Sequence, residues 1–157
     1  LADAAIWDKL DCSAKNGTED DYVLYFGARA CKHRPNVLRE KAERFAKLIG
    51  GARICTIDFD NDSPEMFIQK FRRAKAVFTS SFHGVAFSLV FNRRLFAVKY
   101  GDEQDLRYVN LLRLVGGESC LVDSTEDKET YKEVEYSEIN ENLRKLRTTS
   151  INFLKEI

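Results

Sequence analysis

A chain of 157 residues with 44% hydrophobic and 11% aromatic side chains has the length of one domain and enough apolar surface for a single core. Its 25 basic residues balance 25 acidic ones, so no net positive field points to nucleic acid or an anionic membrane as a partner. No apolar run approaches the roughly 18–20 residues of a membrane span, and no signal-peptide pattern is read.

Residues 1–21 read as a lead-in segment, and because the chain begins at Leu1 it reads as a piece of something longer. Residues 22–26 (YVLYF) are a short apolar run closed by Gly27, the pattern of a buried strand. A helix is predicted from about Asn36, with Leu38, Ala42, Phe45 and Ile49 on one face and Gly50-Gly51 to stop it. Residues 53–58 (RICTID) give a second strand. Ser63-Pro64-Glu65 then starts a helix: a hydroxyl at the N-cap, proline in the first turn and an acid behind it. Phe67, Phe71 and Ala74 form its inner face.

Residues 76–79 are the third strand, followed by a helix over 83–91 that is apolar nearly all round and so expected to be buried. Residues 95–99 form the fourth strand. A helix over 106–115 stops at Gly116-Gly117, and 120–122 is a short fifth strand. The polar, acidic stretch 124–136 reads as a loop. The last helix, 137–157, carries Ile139, Leu143, Leu146, Ser150, Phe153 and Ile157 along one stripe. There is no internal repeat and no low-complexity tract.

The four cysteines, Cys12, Cys31, Cys55 and Cys120, form no CxxC pair, and no histidine is spaced with them for zinc. They read as reduced thiols of a cytosolic protein, Cys55 and Cys120 within strands.

Strand–helix alternation predicts a single α/β domain over 1–157, a Rossmann-like or flavodoxin-like three-layer sandwich around a mostly parallel five-stranded sheet. Ligands of such sheets bind beyond the carboxyl ends of the strands, where the strand order reverses. With the order 2-1-3-4-5, strands one and three meet at that crevice. The loop after strand one, GARACKHRP (27–35), holds Gly27, Arg29, Lys32, His33 and Arg34. The loop after strand three, SSFHG (80–84), holds Ser80, Ser81, His83, Gly84 and the free N–H groups of a helix start. Together they make a pocket suited to an anion. The competing readings are ordinary ones: a solvated basic loop for Lys32 and Arg34, a helix cap for Ser81, a structural imidazole for His83. The Ser-Ser-His cluster is no hydrolase elbow, since GxSxG is absent, and neither a Walker A loop nor GxGxxG occurs.

TSSFHGVAFSLVFNRRLFAV resembles the signature of the polysaccharide pyruvyl transferase family, a Ser/Arg-x-His-Gly block followed by an apolar helix. Trp7 in IWDKL, the segment SPEMFIQKFRRAKAVFTSS, Arg107 and Leu111-Leu112 in LRYVNLLRLVGG, and the tail LRKLRTTSINFLKEI resemble further parts of its pattern. The likeness runs over nearly the whole chain and corresponds to the C-terminal half of a full-length member. Two departures stand out: NRRLF replaces the usual Asn-Lys-Pro-Phe, and Ser81 stands where many members carry arginine.

The resemblance implies the C-terminal domain of a glycosyltransferase-B-like fold, with the N-terminal domain missing from this chain. It implies an enzyme that moves a pyruvyl group from phosphoenolpyruvate to hydroxyls of a glycan or lipid-linked sugar acceptor, forming a ketal without metal or organic cofactor. His83 aligns with the family's donor-site histidine and is the expected catalytic residue. Ser80, Ser81, Gly84, Gly27, Arg29 and Arg107 are the expected donor- and anion-binding residues. The fragment is expected to fold without turning over, and the apolar stripe of its last helix to favour self-association as a homo-oligomer. The rival readings are a nucleotide-sugar glycosyltransferase-like domain and a non-catalytic binding or scaffold relative.

Overall fold

A computed structural model describes residues 21–126 and 131–155; Trp7, Cys12 and Ile157 lie outside the described residues. In chain order the elements are β1 (Tyr22–Phe26), α1 (Val37–Leu48), β2 (Arg53–Thr56), α2 (Pro64–Arg73), β3 (Ala76–Thr79), α3 (Phe82–Val90), β4 (Arg94–Lys99), α4 (Leu106–Val115), β5 (Leu121–Asp123) and α5 (Tyr136–Lys155). Short 3₁₀ turns at Glu103–Asp105 and Glu118–Cys120 lead into α4 and β5.

The five strands form one all-parallel sheet in the order β2-β1-β3-β4-β5. The step from β1 to β2 runs one way along the sheet and every later step runs the other way. Right-handed crossovers then place α1 on one face and the following helices on the opposite face, which is the arrangement the core shows. Val23, Phe78, Phe96 and Val98 point to α1, packing with Leu38, Ala42 and Phe45. Leu24, Phe26 and Val77 meet Phe71 of α2, while Leu95 and Ala97 lie under α3 and α4. Strands buried on both faces explain why YVLYF and AVFT carry no polar alternation.

Local chemistry sets most boundaries. Ser63 is the N-cap of α2, its hydroxyl accepting from Met66 N at 3.3 Å, with Pro64 at the first helical position. Gly116, at φ 75°, ends α4 in the left-handed conformation that a side chain resists. The second strand stops at Thr56, two residues earlier than its apolar pattern suggested. The Asp58 N–H leaves the ladder to donate to the Asp62 carboxylate at 2.7 Å, turning the chain toward α2. The fifth strand begins at Leu121, because Cys120 N bonds the Gly117 carbonyl oxygen at 3.0 Å in the preceding turn. So Cys55 is in a strand and Cys120 is not; both are free thiols, as is Cys31.

Two helices correct the sequence reading more substantially. Helix α3 is not buried all round: Gly84, Val85, Ser88 and Leu89 are buried, but His83 is exposed and Val90 is 38% exposed. An outer-layer helix has only one face against the sheet, however apolar its sequence. Helix α5 buries Ile139 and rests Leu143 and Leu146 on the α4 side of the core. Past that point its stripe faces solvent, with Ser150 exposed and Phe153 63% exposed.

One close approach fixes α3. A Cβ at Gly84 would stand 2.2 Å from Thr79 Oγ1 and 2.9 Å from Thr79 Cβ, both on β3. Glycine inside a helix costs about 1 kcal/mol relative to alanine, so its place here reflects contact with the strand. Gly84→Ala should lower stability by about 3 kcal/mol through overpacking. For a domain of this size that is a drop in Tm of roughly 6–12 °C, measurable by thermal melts; an unchanged Tm would refute the close-packing reading.

Candidate functional site

The site lies at the carboxyl ends of β1 and β3, the point where the strand order reverses. In register, Phe26 pairs with Thr79, so Gly27 and Ser80 leave the sheet side by side, and Ser80 N donates to the Phe26 carbonyl oxygen at 3.3 Å. A Cβ at Gly27 would meet Ser80 Oγ at 3.1 Å and Leu38 Cδ2 at 3.1 Å. Any side chain at position 27 would crowd the serine.

Thr79 ties the two loops to the helix. Its hydroxyl donates to the Phe26 carbonyl oxygen at 2.6 Å and accepts from Ser81 N at 3.1 Å. The first α3 bond runs from Val85 N to the Ser81 carbonyl oxygen, so the N–H groups of Phe82, His83 and Gly84 lie ahead of the intrahelical ladder. Ser81 holds the N-cap position with extended backbone, but its side chain makes no capping hydrogen bond, contrary to the capping expected of it. The helix therefore presents its partial positive end uncapped by its own serine.

Ser80 Oγ is buried and has no hydrogen-bond partner of standard geometry. The Tyr100 hydroxyl is near enough for Ser80 to favour its ionised form, although burial dominates and raises the Tyr100 phenol above its ordinary range. An orphaned buried hydroxyl costs roughly 1–3 kcal/mol, and this one stands between the ends of β1 and β3 where the strand order reverses. His83 is exposed at the same helix end, its ring 6.0 Å from Phe82 and nearly perpendicular to it. Arg107, at the start of α4, lies over the other side of this region, its guanidinium 5.4 Å from the Phe82 ring centre.

The basic loop divides into side chains that are engaged and side chains that are not. Arg34 donates to the Ser124 carbonyl oxygen at 3.1 Å and to Glu40 at 2.8 Å. Lys32 and His33 are exposed and pair with no other group among the described residues. Arg29 is the most constrained: it grips Asp102 at 2.6 and 2.7 Å and Asp105 at 2.9 Å, while its guanidinium covers the Tyr100 ring at 4.7 Å. Two carboxylates already neutralise the cation that sequence reading offered to a ligand. Gly84 likewise has a packing reason for its place, independent of any ligand.

The residue that sequence reading missed is Asp105. It is 4% exposed and accepts from the Tyr100 and Gly101 N–H groups at 2.7 Å each, besides Arg29. The Tyr108 hydroxyl sits between Asp105 Oδ1 (2.5 Å) and the Val98 carbonyl oxygen (2.9 Å), and burial keeps that phenol neutral by driving its pKa far up. Asp105 thus fixes the turn after β4, the helix that follows and the arginine of the loop after β1. The signal was available: Asp102 and Asp105 stand three apart in YGDEQD, a capping-box spacing before an apolar helix.

The family model for polysaccharide pyruvyl transferase matches residues 4–102, more than half of the sequence. The chain belongs to the polysaccharide pyruvyl transferase family. Within this pyruvyl transferase match fall Gly27, Arg29, Ser80, Ser81, His83 and Gly84; it ends at Asp102, before Arg107 and the C-terminal helix. No curated protein and no solved structure matches the chain. No helix among the described residues is long and apolar enough to cross a membrane.

Arg29→Ala and Asp105→Ala should each destabilise the domain by about 3 kcal/mol, because each leaves a charge without its partner. The double substitution should cost less than the two added, with a coupling of roughly 1–3 kcal/mol, read from urea unfolding of all four proteins. Strict additivity would show that the pair does not hold the two loops together.

Proposed function

We propose that this crevice binds phosphoenolpyruvate and that the domain serves transfer of its pyruvyl group to sugar hydroxyls, with His83 as the proton carrier. The observation that carries the reading is the uncapped N-terminal end of α3, with the orphaned Ser80 hydroxyl and the exposed His83 beside it, in a chain of this family. Phosphoenolpyruvate brings a phosphate and a carboxylate, and helix N–H groups with a hydroxyl are neutral donors that hold such anions without a compensating counter-ion. With Arg29 engaged by two aspartates, supplementary positive charge comes from Arg107 and Lys32, both exposed on the rim.

The reaction balances without an external reagent. A sugar hydroxyl oxygen bonds to C2 of the donor as its C2=C3 double bond takes a proton at C3, making the methyl group. A second hydroxyl of the same sugar then bonds to C2 as the C2–O bond to phosphate breaks. One hydroxyl proton ends on C3 and the other on the departing phosphate. A side chain that gains and loses a proton near neutrality serves both transfers, and histidine is the group with that property. Exposure of His83 leaves its ring able to reach either partner. Ser80 and Ser81 position the anion, with Gly27 keeping the serine uncrowded.

His83→Ala or His83→Gln should lower pyruvyl transfer by about 10²–10⁴-fold, the usual yield of a positioned acid or base, and reduce donor affinity much less. Ser80→Ala should do the reverse. The measurements are phosphoenolpyruvate binding by calorimetry to the 157-residue chain and pyruvyl transfer by the intact protein, with thermal melts as the folding control. A normally folded, fully active His83→Ala protein would return the imidazole to a structural role. Preference for a nucleotide sugar over phosphoenolpyruvate would assign the crevice to glycosyl transfer, and binding of neither would make the domain a scaffold.

A further inference from the structure

We infer that a second subsite, built on the loop after β2 around Phe59, holds a sugar ring of the acceptor; this rests on the pyruvyl transfer proposed above. Phe59 is 75% exposed, the largest fraction among the exposed apolar side chains of the described residues. One edge of the ring meets Phe26, 6.0 Å away by ring centres, and the rest is left to water; joined to the apolar hollow beside it, the ring forms a continuous apolar surface of the kind that marks a binding site. It stands at a hollow of about 310 Å³ whose apolar walls are Ile57, Phe59, Pro64, Phe67, Ile68 and Phe87. That is the small end of the ~300–1,000 Å³ range of ligand pockets, matched to one ring rather than an extended ligand.

The chemistry at the rim selects the ligand. The loop reads DFDND (58–62), so the phenyl ring is flanked by carboxylates. Asp58 is held anionic by hydrogen bonds from Asn61 and from Asp60 N–H, and Asp62 by Lys70 at 2.5 Å, which also anchors the loop by donating to the Thr56 carbonyl oxygen. Asp58 and Asp60 are exposed. An anionic donor is repelled by such a rim. A neutral pyranose suits it: its C–H face covers an aromatic ring while its hydroxyls donate to carboxylates, which accept only.

Position connects this hollow to the anion crevice. Both lie beyond the carboxyl ends of neighbouring strands, β2 for the hollow and β1 with β3 for the crevice. One ring separates them: Phe26 stands 6.0 Å from Phe59 by ring centres, and its Cδ1 lies 3.1 Å from where a Cβ on Gly84 would be. A sugar seated on Phe59 is therefore placed beside the helix end where His83 and the proposed donor meet. The apolar hollow with its acidic loop and the uncapped positive end of α3 thus offer opposite polarities to the neutral ring and to the anion.

The test is saturation-transfer NMR on the 157-residue chain with the methyl glycosides of glucose, galactose and mannose and with neutral disaccharides of each, alongside phosphoenolpyruvate calorimetry. At least one glycoside should receive saturation from aromatic protons. Phe59→Ala should weaken that binding by about fivefold or more, the value of a lost ring stack, and Phe59→Trp should restore it. Phosphoenolpyruvate affinity should be unchanged in both variants. Absence of binding to every glycoside, or binding indifferent to Phe59→Ala, overturns the subsite. Sugar binding that depends on Phe59 in a chain that ignores phosphoenolpyruvate would instead sustain the subsite and sink the donor assignment.

Discussion

The Thr79 hydroxyl joins the three elements on which the crevice depends. It donates to the carbonyl oxygen that ends β1, accepts the N–H that precedes α3, and stands under Gly84 where that helix crosses the sheet. A buried side chain with both its donor and acceptor capacity used is a rigid joint, because leaving either partner unmet in the interior costs 1–3 kcal/mol. The glycine lets the helix come down onto that joint. The free N–H end of α3 is thereby aimed at one place, between the loops after β1 and β3, rather than merely near it.

Around this joint the core is unusually aromatic. Phe26, Phe67, Phe71 and Phe87 meet edge to face or tilted on one side of the sheet; on the other, Phe78 and Phe96 stack while Phe45 and Tyr131 meet them edge to face or tilted. Such pairs contribute about 0.5–1.5 kcal/mol each beyond burial. They also resist compression, so loops rooted in them inherit a fixed floor. Arg94 lies over Phe45 and Phe96 and donates to the Tyr131 carbonyl oxygen, closing the α1 face of the core.

Charge is distributed with equal economy. The positive end of α3 and the rim cations lie on the crevice side, whereas the fully buried Lys41 reaches the Glu126 carbonyl oxygen and works as a structural brace. Arg29 is likewise a brace, linking the loop after β1 to the turn after β4 through Asp105. Arginine is suited to that work because its planar fork engages two carboxylates at once.

The sequence by itself determined the elements, their order and the sheet. Apolar runs such as YVLYF and AVFT have to be buried on both faces, the Ser63-Pro64 start and the Gly116-Gly117 stop act within a few residues, and handedness then leaves few ways to stack the pieces. It also determined that Gly27, Ser80, Ser81 and His83 would share one edge of the sheet, since neighbouring parallel strands end together. What it could not decide was the state of each side chain there. Whether Arg29 is free or gripped depends on Asp105, which lies 76 residues away. Whether Gly84 answers to a ligand or to Thr79 depends on an interatomic distance, and whether α3 is buried all round depends on which layer it occupies. Those are properties of packing between distant segments, set by shape and desolvation in three dimensions, and no local pattern of residues encodes them.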